Sequence, residues 1–208
     1  MYIYIKMIID FILAVVGLIL LSPVFLIIAI WIKMDSPGPI FFKQKRVGRN
    51  KTIFNIYKFR SMRTDTPSDQ PTHLLKDPTA FITKSGQFLR KTSLDELPQV
   101  INIVKGEMSI IGPRPALWNQ YDLIAERDLY GANDIKPGLT GWAQINGRDE
   151  LDIKIKAKLD GDYVQNMGFI FDMKCFIGTV ISVLKSDGVV EGGTGVIAQA
   201  KREVEEDR

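Results

Sequence analysis

Apolar positions follow several rhythms along this chain, and each predicts a different element. Residues 11–32, FILAVVGLILLSPVFLIIAIWI, form a run of 22 without a charge, bounded by Asp10 and Lys33. At about 1.5 Å per residue a helix of this run reaches about 33 Å, enough to cross a hydrocarbon core of about 30 Å. Residues 40–42 (IFF) and 53–59 (IFNIYKF) alternate instead, which predicts short strands and a hairpin around Gly48-Arg49-Asn50. A helical rhythm follows over 85–105, GQFLRK and then LDELPQVINIVK, stopped by Gly106 and the GPRP run at 112–115. Further helices are predicted over 116–130 and over 150–166, where Leu151, Ile155, Leu159 and Tyr163 recur at intervals of four. Residues 169–185, FIFDMKCFIGTVISVLK, are apolar on nearly every face. A buried core helix is the ordinary reading of that segment, and an interfacial helix beside a bilayer is the other. Asp35-Ser-Pro-Gly-Pro39, the proline-rich stretch 64–80 and the loop from Lys136 to Gly147 read as turns and surface loops. The glycines and charges beyond Asp187 read as a mobile tail.

The long apolar run predicts membrane association. It is too long for a signal peptide and lacks a small-residue cleavage pattern. Ser22 and Pro23 fall in its middle. Pro23 lacks an N–H and its ring opposes the carbonyl of Ile19, so a kink is expected there, and the Ser22 hydroxyl is placed to satisfy a freed backbone group. Each half is only about 15–18 Å long at the helical rise. A helix that enters, bends and leaves on one side and a kinked helix that spans both remain open. Between residues 33 and 64 stand nine Lys/Arg against one acid, Asp35. Basic flanks stay cytoplasmic, so the body of the chain is expected in the cytoplasm in either geometry. Such a juxtamembrane cluster suits anionic headgroups before nucleic acid, and no nucleic-acid partner is expected.

Composition narrows the chemistry. The 208 residues carry 27 Lys+Arg and 24 Asp+Glu, for a net charge of +3. A single cysteine, Cys175, excludes an internal disulfide framework, and a single histidine, His73, excludes zinc sites built on two or three histidines. What remains are carboxylates, arginines and backbone. In Thr92-Ser-Leu-Asp-Glu-Leu-Pro98, Ser93 and Glu96 have capping-box spacing, and Asp95 suits the positive end of a helix. The same residues support another reading, in which Asp95 attacks phosphorus and Glu96 holds a divalent metal. In Gly112-Pro-Arg-Pro115 two prolines fix the backbone around Arg114, whose planar fork suits phosphate or a structural carboxylate. Arg90, five residues before Asp95, is within reach of the same helix end. Lys136 to Arg148, KPGLTGWAQINGR, has the glycine, amide and indole content of a ligand loop but matches no P-loop or dinucleotide fingerprint.

Six blocks in order, SPVFLIIAIWIK, IYKFRSM, LRKTSLDELPQ, GEMSIIGPRP, KPGLTGWAQINGR and KLDGDYVQN, resemble the bacterial sugar transferase family, the monotopic phosphoglycosyl transferases. The likeness runs from about residue 7 to about residue 185, with the minimal, small-chain type. It implies an α+β, mostly helical fold. A re-entrant membrane helix broken at Ser22-Pro23 (1–34) would precede a compact cytoplasmic catalytic domain (35–187) with a few short strands and interfacial amphipathic helices, then a tail (188–208). It implies an Asp-Glu dyad at Asp95 and Glu96 with Mg²⁺, and phosphate contacts from Arg90, Arg114, Lys58, Arg60 and Arg148. Asp160 matches a family acid that either serves substrate or pairs with an arginine. Residues 64–80 and the tail match no family block.

The implied reaction moves a phosphosugar from a UDP-sugar to polyprenol (undecaprenyl) phosphate and releases UMP, in two displacements through an aspartyl phosphosugar at Asp95. It would be the first membrane step of glycoconjugate or exopolysaccharide assembly at the bacterial inner membrane, with membrane lipids, downstream glycosyltransferases and a second copy of the chain as expected partners. A non-catalytic membrane-tethered scaffold and a glycosyltransferase that releases UDP are the competing readings. The scaffold gives no reason for the dyad, the GPRP arginine and the Trp142 loop to occur together, and the identity of the released nucleotide separates the glycosyltransferase.

Overall fold

The computed structural model describes residues 2–67, 79–147 and 151–185. Arg148, most of 64–80 and the tail 188–208 lie outside the described residues. Seven α-helices and four short strands are found among those described: α1 Tyr2–Asp35, β1 Phe41–Val47, β2 Ile53–Phe59, α2 Lys84–Lys91, α3 Gln99–Val104, β3 Ser109–Ile111, α4 Tyr121–Asp128, β4 Gly138–Thr140, α5 Trp142–Ile145, α6 Ile153–Asn166 and α7 Phe169–Lys185. The architecture is α+β and mostly helical, with a long apolar N-terminal helix.

The α1 helix is long and apolar enough to cross a membrane, and most of its apolar surface is exposed. It is one element of 34 residues containing Pro23, so the expected break does not divide it into two helices. The local chemistry explains the continuity. Pro23 cannot donate to the Ile19 carbonyl, and the Ser22 hydroxyl donates to that oxygen instead at 2.7 Å. One stripe of α1 faces the rest of the molecule. Ala14 packs with Phe54, Ile56, Ile103 and Met108. Val24, Phe25, Ile28 and Ile32 pack with Phe59 and Leu89.

Both ends of α1 are also tied by polar groups. Near the start, Asp172 of α7 accepts hydrogen bonds from Lys6 Nζ (2.6 Å), the Tyr2 hydroxyl (2.6 Å) and the Tyr163 hydroxyl (2.7 Å), and Asp10 accepts one from Ser109. At the far end Arg60 donates to the carbonyls of Pro37 (2.8 Å) and Ser36 (2.6 Å) and to the Ser36 hydroxyl (2.9 Å). Asp35, the last residue of α1, accepts from the Ser85 N–H and hydroxyl, both at 2.8 Å, at the start of α2.

The predicted hairpin is present, with β1 and β2 antiparallel from Phe41↔Phe59 to Val47↔Ile53. The β3–β4 pair is parallel, and β4 lies within the stretch from Lys136 to Gly147 that the pattern reads as a loop. Gly112 N–H donates to Thr140 O, and Gly138 N–H to Pro113 O, both at 2.8 Å. Backbone packs on backbone here: a Cβ on Gly138 or Gly141 would collide with Gly112. The glycines of KPGLTG therefore hold the GPRP loop in place.

Two helices depart from the expected patterns. The inward face of α6 is Ala157, Asp160, Gly161 and Tyr163, while Ile155 is exposed. A buried Asp160 and the small residues, rather than the aliphatic stripe, mark the packed side. The α7 helix is not a core helix. Cys175 and Asp172 face inward, but Phe169, Ile170, Phe176, Ile177, Val180, Ile181 and Val183 are exposed.

Candidate active site

A cleft of about 410 Å³ gathers Lys58, Arg90, Asp95, Glu96 and Arg114, with Asp160 also on its wall. Lys58 comes from β2, Arg90 from the end of α2 and Arg114 from the loop after β3. Asp95 and Glu96 sit on a 3₁₀ turn, Leu94–Glu96, between α2 and α3. The capping box is therefore corrected. Ser93 makes no side-chain cap and lies at φ 57°, in the left-handed region, and α3 begins only at Gln99 after Pro98. Leu97 turns helical just before Pro98, and the tight turn places the two carboxylates at the cleft.

Glu96 is clamped. Lys58 Nζ lies 2.7 Å from Oε1, and Arg114 donates through Nη2 to Oε1 (2.7 Å) and through Nη1 to Oε2 (3.3 Å). Burial pushes the Glu96 carboxyl up, but the charges and hydrogen bonds of Arg114 and Lys58 outweigh it and hold it well below its usual range. Asp95 is more buried and less engaged, with Lys58 Nζ at 3.9 Å. Burial raises its carboxyl above the usual value, with Lys58 opposing, Glu96 adding to the rise, and Arg90 and Arg114 opposing more weakly. Three cations thus face two carboxylates across one cleft. Arg90 Nε is buried without a hydrogen-bond partner, which leaves a donor to be satisfied beside Asp95.

Lys58 is set by a hub that the sequence reading missed. The fully buried Asn102 of α3 accepts from Tyr57 N–H (3.0 Å) and donates to Asn55 O (2.8 Å) and Glu107 (2.7 Å), fixing β2 against α3. Arg46, Gln120, Lys156, Phe176, Thr179 and Val183 also line the cleft and were not singled out. Arg46 lay within the basic stretch 33–64, which was the one signal for it. Asp160 is committed to Arg127, with Nε at 2.8 Å and Nη2 at 2.6 Å in a fully buried pair. Arg60 lies away from the cleft, on the end of α1.

For a divalent metal, the donor set is two adjacent carboxylates, and no cluster of three or more His, Cys, Asp or Glu occurs among the described residues. That fits Mg²⁺, which takes one or two carboxylates and completes its shell with substrate phosphate and water.

Comparison with known proteins places the chain in a family. The chain matches the bacterial sugar transferase family over residues 1–186. It is 42% identical to the uncharacterized sugar transferase EpsL of Bacillus subtilis over 158 residues, 76% of either chain. It is 43% identical over 182 residues to the UDP-glucose:undecaprenyl-phosphate glucose-1-phosphate transferase of Escherichia coli, covering 82% of this chain and 38% of that one. An exopolysaccharide production protein PSS of Rhizobium leguminosarum is 40% identical over 180 residues, with 81% and 89% covered. This chain thus spans about two fifths of the longer glucose-1-phosphate transferase and most of the shorter relatives. The match takes in the dyad turn, the GPRP loop and α1 together, and the chain belongs to the bacterial sugar transferase family.

Proposed function

We propose that the protein transfers a phosphosugar from a UDP-sugar to polyprenol phosphate and releases UMP. The observation that carries this reading is the buried Asp95 beside Glu96, within a cleft where Lys58, Arg90 and Arg114 converge. A carboxylate oxygen of Asp95 attacks the β-phosphorus, the bond to the UMP oxygen breaks, and an aspartyl phosphosugar forms. A phosphate oxygen of the polyprenol phosphate then attacks the same phosphorus and releases Asp95. Lys58 and Arg114 exchange part of their grip on Glu96 for the diphosphate, and Arg90 meets a transferring oxygen with its unsatisfied Nε–H. Asp95 and Glu96 are the residues that would hold Mg²⁺, which when bound neutralises charge on the diphosphate.

The membrane reading rests on α1. Its first turns are bonded to Asp172 and Ser109, and its last to Arg60 and Ser85, all in one folded body. Spanning would strip Lys6, Asp10 and Asp172 of each other. We therefore read α1 as re-entrant, with the exposed apolar side in the cytoplasmic leaflet and the cleft at headgroup depth. The lipid product passes to downstream glycosyltransferases.

The test is exchange of labelled UMP into UDP-sugar without any lipid acceptor. Wild-type protein with Mg²⁺ is expected to exchange, and Asp95→Asn to lose exchange altogether. Release of UDP, or normal turnover in Asp95→Asn, overturns the reading.

A further inference from the structure

The cleft is lined by two unlike sets of residues. Lys58, Arg90, Asp95, Glu96 and Arg114 are one, and Phe176, Thr179 and Val183 of α7 are the other. The single hydroxyl that α7 brings to the cleft is already used. Thr179 shares a 2.7 Å hydrogen bond with Thr140 and donates to the Cys175 carbonyl at 2.8 Å. What α7 offers a ligand is therefore apolar, while the polar groups of Gln144 and Lys156 come from other elements of the lining. Phe176 and Val183 line the cleft and yet are 48% and 40% exposed. From them the exposed apolar surface of α7 continues through Ile177, Val180 and Ile181.

Cationic groups and an apolar helix face in one cleft, with exposed apolar surface continuing along that helix, are complementary to an anionic head on a hydrocarbon tail. Of the two substrates in the proposed reaction, only the lipid acceptor has that shape. We propose that Phe176 and Val183 form the track that binds the first isoprene units of the polyprenol phosphate, with the remaining chain leaving along Ile177, Val180 and Ile181. This assignment rests on the phosphosugar transfer proposed above. It makes α7 the element that selects the acceptor, while Lys58, Arg90 and Arg114 hold the phosphates.

The experiment uses the full chain in detergent, with three readouts. The first is equilibrium binding of a ten-carbon citronellyl phosphate and of a long-chain polyprenol phosphate, without donor. The second is KM for each acceptor and for UDP-sugar, and the third is flotation with anionic vesicles. Phe176→Ser and Val183→Ser are expected to weaken binding and raise KM for both acceptors about tenfold, as loss of an apolar contact predicts, with KM for UDP-sugar moving less than about twofold. Phe176→Leu keeps the apolar surface and is expected to restore the acceptor KM, which separates the track from a folding defect. Ile170→Ser, 85% exposed and away from the cleft, is expected to weaken flotation with the acceptor KM unmoved. The proposal is overturned if the Phe176 and Val183 variants lose only flotation, which would make α7 a bilayer anchor. It is equally overturned if they change only the oligomeric state, or raise KM for UDP-sugar instead. The binding readout needs no turnover, so failure of the phosphosugar reaction itself would show separately, as intact acceptor binding without nucleotide release.

Discussion

Two clusters of lysine and carboxylate among the described residues are built to opposite ends. Around Asp172, one lysine and two carboxylates are closed in by the hydroxyls of Tyr2, Tyr163 and Ser109, with a hollow of only about 50 Å³ beside them. Around Asp95, three cations meet two carboxylates at the edge of a cleft of about 410 Å³, and Arg90 Nε has no partner. The first cluster has its hydrogen bonds satisfied from within and holds α1 to α7. The second keeps cationic capacity that an anionic ligand would complete. Saturation, rather than charge or burial, separates the structural site from the chemical one.

The sharpest break of this comparison exchanges a carboxylate for an amide in each cluster. Asp95→Asn is expected to lower turnover by about 10³-fold or more, since the amide cannot form the proposed covalent intermediate. Its folded carboxyl is raised, so the stability it supplies belongs to the protonated form and is lost as pH rises through that raised value. At neutral pH the neutral amide should therefore leave the melting temperature equal or higher. Asp172→Ala is expected to do the reverse. It leaves the buried Lys6 with only Asp10 at 3.7 Å and removes the acceptor of the Tyr2 hydroxyl, and should cost about 3 kcal/mol in denaturant unfolding, with turnover retained by the folded fraction.

Arg114→Lys tests the next level. It keeps the charge but loses the fork that holds both Glu96 oxygens, and about 10- to 100-fold slower UMP exchange is expected, with stability nearly unchanged. The smallest effect concerns the joint between α1 and α2. Burial pushes Asp35 up, but the Ser85 hydrogen bonds and the nearby Lys84 charge hold it below its usual range. Its contribution is present above that range and lost as pH falls through the lowered value. Asp35→Ala should cost about 1 kcal/mol at neutral pH, and the difference from wild type should shrink as urea unfolding is repeated from about pH 7 to about pH 3.

Much of this was legible in the chain because it is encoded locally. The alternation of IFNIYKF gave the hairpin, and the uninterrupted run 11–32 gave α1 and its serine-proline pair. Asp95, Glu96, Arg90, Arg114 and Lys58 were legible through six ordered blocks, and they meet in one cleft. What local pattern hid was long-range pairing. The β3 and β4 strands are three residues each and far apart in sequence, too short to show a period. Asn102 looks like any polar helix residue until β2 is laid beside it. The Ser93 box failed because Pro98 and a left-handed serine impose a tight turn where the spacing alone read a helix start. The apolar α7 was ambiguous by nature, since a core helix and a surface one facing a non-aqueous phase share one composition.

The arginine at the end of α1 has a mechanical consequence. Arg60 grips the carbonyls of Ser36 and Pro37, and two residues earlier on the same chain Lys58 reaches Glu96. Helix end, strand and Glu96 carboxylate are thus joined through one short stretch of backbone. In the re-entrant reading proposed above, a displacement of α1 along the bilayer normal would reach the ammonium through two residues of that backbone. The chain would then carry its own depth gauge, with the height of the cleft set against the lipid surface.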